Sequence, residues 1–183
     1  MELLTVIAVL VILAAMLLGA GKRLRVQAEE KLTQSQIDVL VTALEQYYAA
    51  NDDEFPFEAD ADYDEAALLG DIQTDTGAAA VSVTSGTHIQ EYCSSEGLYY
   101  FLDKSVVSRE IAEAISETLV TCKDADGVFL RIDIDGESLD PARFIDPWGK
   151  SLRYTYAAGN TFPVIVSAGV DGDFGTEDDI TSK

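Results

Sequence analysis

Five acids stand within nine residues near the end of the chain: Asp171, Asp173, Glu177, Asp178 and Asp179, interleaved with Gly172 and Gly175. Hard cations such as Ca²⁺ take about six to eight oxygen ligands, and short glycine-rich loops let carboxylates and backbone carbonyls converge on one. The spacing is not that of an EF-hand, whose loop closes on a bidentate Glu. The other reading is a solvated acidic tail, although unpaired acids this dense repel one another. Asp124/Asp126 and Asp133/Asp135 are a second candidate set of carboxylates, and alternation along a strand accounts equally well for the latter pair.

Cys93 and Cys122 are the only cysteines. In an exported domain such a pair reads as a disulfide closing a loop of about 30 residues and worth about 3 kcal/mol. In a cytosolic domain it reads as two buried free thiols. Asp75-Thr76-Gly77-Ala78 spells an aspartic-protease signature, but that dyad needs two such loops, each entered by a buried apolar strand. Gln73 and Thr74 precede this one, and the chain has no second copy. The single histidine, His88, has no nucleophile in a recognisable frame, and there is no Walker or dinucleotide fingerprint. No catalytic residue is assigned and the chain reads as a non-enzyme. Asp146-Pro147-Trp148-Gly149 reads as a structural turn with a large ring to bury.

The elements that must position these residues follow from charge and hydropathy. The chain has 183 residues, 12 Lys+Arg against 33 Asp+Glu, a net charge of −21 and 48% hydrophobic residues. So negative a field repels phosphate backbones and excludes nucleic acid as a partner. The apolar share is too high for a disordered acidic chain. Residues 3–21 carry no charge and, as a helix, would span about 28 Å, the thickness of bilayer hydrocarbon. With Glu2 and nothing basic before it, the run does not read as a cleaved signal peptide. It reads as a membrane-spanning or filament-core helix.

From Lys22 on the pattern turns amphipathic, with Leu32, Ile37, Leu40, Val41, Leu44, Tyr47 and Tyr48 at three- and four-residue steps. The first stop is Asn51-Asp52-Asp53 before Phe55-Pro56, which predicts one helix of about 50 residues. Residues 1–21 are its transmembrane or filament-core half and 22–50 its amphipathic half; 51–183 form an acidic soluble head. Residues 1–50 carry net −1 and the head net −20, so the charge belongs to the head. Within it we expect a loop over 52–65, a short strand at 81–83, and helices over 98–104 and 108–119, the second N-capped by Ser108. A half-buried strand covers 128–134, and a hairpin joins 152–157 to 163–167 through Ala158-Gly159-Asn160. The tail from Gly169 reads as turns. The fold class is α+β.

The opening Glu2-Leu3-Leu4-Thr5-Val6-Ile7-Ala8-Val9-Leu10 resembles the N-terminal helix of type IV pilin-like proteins. Three further segments are similar, in the same order, to the major pseudopilin of type II secretion systems. They are Ala43-Leu44-Glu45-Gln46-Tyr47-Tyr48 running into Phe55-Pro56, then Asp146-Pro147-Trp148-Gly149, then Ser167-Ala168-Gly169 with Asp171-Gly172 through Asp178-Asp179-Ile180. Together they cover about half the chain; residues 60–135 match none of the family's pattern. The family commonly opens Phe-Thr-Leu-x-Glu, with Met1 standing here at x. Its usual Pro near the end of the apolar run is replaced by Gly19-Ala20-Gly21.

The resemblance implies a ladle-shaped subunit, its long helix packed on a small antiparallel sheet. It implies a homo-polymer, a helical filament whose core is the helices. The subunit would be processed by a prepilin peptidase and assembled by inner-membrane machinery. It would sit in the inner membrane before assembly and in a periplasmic or extracellular filament after it. Lys22, Arg23 and Arg25 taken alone place the head in the cytoplasm by the positive-inside rule, against this implication.

The resemblance assigns Glu2 an assembly role, pairing with the N-terminal ammonium of a neighbouring subunit; the bland reading is a solvated residue at the headgroups. It also implies a structural Ca²⁺ in the C-terminal loop, on Asp171 and Asp179 with Asp178 and Asp173. The alternative from another class is a monomeric, membrane-anchored, extracytoplasmic calcium-dependent binding protein.

Overall fold

The computed structural model describes residues 2–60, 62–157 and 159–182, with side chains from Arg23 onward and at Val6 and Ile7. α1 runs without a break over Glu2–Ala50, as the absence of Pro before Pro56 allows. It ends where the sequence stops it. Asn51 Nδ2 donates to the Tyr47 carbonyl at 2.8 Å, and the Asp53 amide donates to Tyr48 O. Asp52 and Asp53 turn left-handed, at φ 55° and 60°. The last carbonyls of the helix thus find donors.

One face of α1 is core. Thr33, Ile37, Leu40, Ala43 and Leu44 are fully buried and Gln36 nearly so, a stripe at three- and four-residue spacing. Burying each of the large apolar members contributes about 1.5–3 kcal/mol. Leu32, expected in the stripe, is 46% exposed. The head's helices are α2 Glu65–Thr76, α3 Gln90–Lys104 and α4 Val106–Ala112, followed by a 3-10 turn at Glu117–Leu119; α4 packs most extensively on α1, and α2 packs on α3.

In place of the one small sheet that the resemblance implies there are three, all antiparallel. β1 Val81–Ser85, β3 Arg131–Ile134 and β4 Glu137–Leu139 form one in the order β1-β3-β4; β2 Val120–Thr121 pairs with β5 Arg143–Phe144. β6 Arg153–Thr155, β7 Val164–Ser167 and β8 Ile180–Thr181 form the third, with Arg153 opposite Val166 and Ser167 opposite Ile180. The class is α+β, as expected.

Some boundaries differ from expectation for physical reasons. Ser108 does not cap a helix; it lies inside α4, fully buried, and its hydroxyl lies within hydrogen-bond reach of the Leu102 and Ser105 carbonyls. The expected 108–119 helix breaks after Ala112, and Ser116 opens the 3-10 turn by accepting from the Thr118 amide. α2 is an unexpected element that begins where the acidic 52–65 stretch ends. Asp64 caps it by accepting from the Ala67 amide, and Gly77 ends it at φ 66°. Asp75-Thr76-Gly77 is therefore a helix C-terminus, where Asp75 accepts from Tyr100 Oη at 2.8 Å and pairs with Lys104.

Phe57 joins the layers. Its ring packs on Tyr63, Phe101 and Tyr154 at centroid distances of 5.2, 5.4 and 4.7 Å. A Cβ on Gly97 of α3 would stand 2.9 Å from that ring, so this position needs glycine.

Candidate functional site

The C-terminal acidic loop runs from Ala168 to Asp179 between β7 and β8, whose pairing holds its two ends together. Gly169 sits at φ 63°, and a Cβ there would come within 2.3 Å of the Asp178 carbonyl oxygen. Only glycine lets the two limbs of the loop approach so closely.

The carboxylates that could hold a cation also close the loop. Asp178 Oδ2 accepts from the Asp171 amide at 3.0 Å, and Asp178 Oδ1 from the Thr176 hydroxyl at 2.6 Å. Asp171 Oδ1 accepts from the Asp173 amide, and Asp179 Oδ2 from the Gly175 amide at 2.7 Å. The Thr176 hydroxyl first, then the Asp171 amide, hold the Asp178 carboxyl down at about 2. Arg153 lies over the Phe174 ring at 3.7 Å and ties the loop to β6.

Among the described residues no three His, Cys, Asp or Glu side chains stand together as a ready metal-ligand group. One observation in the loop matches a hard cation: Asp179 Oδ1 is buried without a hydrogen-bond partner. An ionised carboxylate has about four lone-pair sites, so those of Asp171, Asp178 and Asp179 keep acceptor capacity beyond the bonds that they accept. In donor chemistry the residues fit Ca²⁺.

A second centre ties the loop to α1. Asp146, 1% exposed, accepts from the Trp148 and Lys150 amides at 3.1 and 2.9 Å and from the Ser167 hydroxyl at 2.7 Å. Burial raises the Asp146 carboxyl above its ordinary value, and those hydrogen bonds oppose the rise. The turn that they hold aims Trp148 at the helix, where its indole N–H donates to Glu29 Oε2 at 3.0 Å. Arg25 pairs with the other oxygen of Glu29 at 2.7 Å. The 146–149 turn is thus the structural element expected, and its ring pins α1. Glu29, 119 residues away, carried no sequence signal for this role.

Cys93 and Cys122 are free thiols, not the expected disulfide. Cys93 is buried on α3, where its thiol donates to Ile89 O at 3.3 Å, and burial pushes it up to about 12. Cys122, beyond β2, is half-buried. Asp124 and Asp126 gather no site: Asp124 accepts from the Thr87, Asp126 and Val128 amides and shapes a turn. Asp133 and Asp135 do likewise, accepting from Gly136 and from Ala79 and Ala80.

His88 is not isolated. Its Nδ1 lies 2.7 Å from Glu96 Oε2, and both side chains are fully buried. Arg143 stacks on Tyr92 at 3.7 Å and donates from Nε to Ser151 Oγ. His88 Nε2, Glu96 Oε1 and Arg143 Nη1 are buried without a hydrogen-bond partner. The polar stretch Ser94-Ser95-Glu96 masked this core, because these residues read as a solvated face.

Glu2, and the run 3–21 apart from Val6 and Ile7, have side chains outside the described residues. Among the described residues no helix is long and apolar enough to cross a membrane. Comparison with protein-family models, curated proteins and solved structures gave no match.

Proposed function

We propose that this chain is a structural subunit of a pilin-like filament, a type II secretion pseudopilus or related type IV filament, polymerising through its N-terminal helix. The observation that carries the reading is the division of α1. The face built on Ile37, Leu40, Ala43 and Leu44 is sunk in the head, while Val6, Ile7 and Leu24 are 57%, 49% and 64% exposed. Exposed apolar positions continued by the uncharged run 3–21 call for lipid or for other helices around them. Neighbours related by a head-to-tail operation would bury them in an open-ended polymer.

In this reading the C-terminal loop takes Ca²⁺ on Asp171, Asp178 and Asp179, with Asp173 beside them. The ion would neutralise part of the head's −20 and leave the Gly169 approach closed. Glu2 would set register between neighbours. The chain would pass from inner membrane to periplasmic or extracellular filament through prepilin peptidase and the assembly machinery.

Sedimentation of the full chain after detergent removal in Ca²⁺ tests the reading. Wild type should pellet as polymer, and Ile7→Asp, which puts a charge into the shared core, should stay in the supernatant. A wild-type chain that remains monomeric in Ca²⁺ would favour the membrane-anchored binding protein and overturn the filament.

A further inference from the structure

Beside α3 and α4 the head opens a pocket of about 540 Å³. Its floor is apolar, from Leu102, Ala112, Ile115, Val120 and Phe144. Asp103, Glu113 and Glu117 line it too, against one cation, Arg109, whose guanidinium donates to the Asp103 carbonyl at 3.3 Å. Three carboxylates against one guanidinium leave the wall net negative. A greasy floor within a negative wall is complementary to an apolar side chain flanked by bases.

The chain carries such a plug on a different surface. Residues 22–25 read Lys-Arg-Leu-Arg, the densest basic stretch in a chain of net charge −21. Leu24 is 64% exposed, above every other exposed large apolar side chain described. Arg23 beside it is exposed, and the Arg25 side chain is 80% exposed, with Glu29 as its ion-pair partner. Leu24 so exposed does not fill the pocket of its own subunit.

We propose that Leu24, with Arg23 and Arg25, seats in this pocket of a second copy of the chain. The inference rests on the filament reading and names one contact inside it. Plug and pocket are different surfaces, so the contact is heterologous, and each copy that offers a plug still has a pocket open for the next. The four charges at stake, two bases and Glu113 with Glu117, predict that a swap of signs will be tolerated where a single reversal is not.

The test is sedimentation of the full chain in Ca²⁺, with the fold of each variant checked by circular dichroism. Leu24→Asp, the pair R23E/R25E and the pair E113K/E117K should each lower the pelleted fraction by about tenfold at unchanged fold. Combining R23E/R25E with E113K/E117K should bring it back toward wild type. If wild type pellets and the variants pellet equally, or the combined swap restores nothing, this contact is wrong and the filament reading stands. If wild type itself stays monomeric, the filament reading fails and takes the contact with it.

Discussion

The seam between α1 and the head and the loop between β7 and β8 are both joints of one acidic chain, made by opposite means. Along α1 the joint is Ile37, Leu40, Ala43 and Leu44, fully buried, with Gln36 Nε2 donating to Ile145 O as a polar pin. In the loop the joint is carboxylate on amide: Asp171, Asp178 and Asp179 turn inward to N–H groups and to the Thr176 hydroxyl. An apolar seam answers to packing and is indifferent to pH and ions. A carboxylate joint answers to protons and cations. The same acidity that solubilises the head is thus turned, at one edge, into a charge-sensitive closure.

The largest effects should come from the packed core. Glu96→Ala leaves His88 Nδ1 buried without its hydrogen-bond partner and opens a cavity in the core, which together should cost about 3–5 kcal/mol in chemical denaturation. Leu44→Ala should cost about 2–5 kcal/mol by the same measurement; a loss below about 1 kcal/mol would mean that α1 is not core. Gly169→Ala forces a side chain into a left-handed backbone against the Asp178 carbonyl and should cost about 1–3 kcal/mol, concentrated in amide exchange of the loop. Trp148→Phe removes the indole N–H from Glu29 and should cost about 1 kcal/mol.

The smallest effect separates the two joints by pH. The Asp178 carboxyl is held below its ordinary value, at about 2. A depressed carboxyl contributes stability fully present above its unfolded value near 4 and lost as pH falls through about 2. Melting temperature should therefore drop less between pH 4 and 2 in Asp178→Asn than in wild type. Equal slopes would place the acid sensitivity outside the loop.

Much of the fold was legible because it follows periodicity and breakers. α1 ends at Ala50, before the Asn-Asp-Asp stop, and β6 pairs with β7 as the expected hairpin requires. α2 was hidden because just two of its residues, Leu68 and Ile72, are buried, too few for a stripe; its signals were the caps, Asp64 and Gly77. α3 begins earlier than expected, since Ser94, Ser95 and Glu96 are polar yet buried, and tertiary partners outweigh local polarity there. β8 is two residues within turn chemistry and exists because β7 pairs with it. Of the site, the carboxylates were legible by type and spacing. Their inward hydrogen bonds are local but form in a loop whose ends the β7–β8 pairing closes, and the Glu29–Trp148 pin and the free state of Cys93 and Cys122 depend on segments far apart in sequence.

Electron microscopy of the purified full chain in Ca²⁺ tests the central claim most directly. The account predicts helical filaments with packed helices at the core and heads outside. A field of monomers under the same conditions would contradict it.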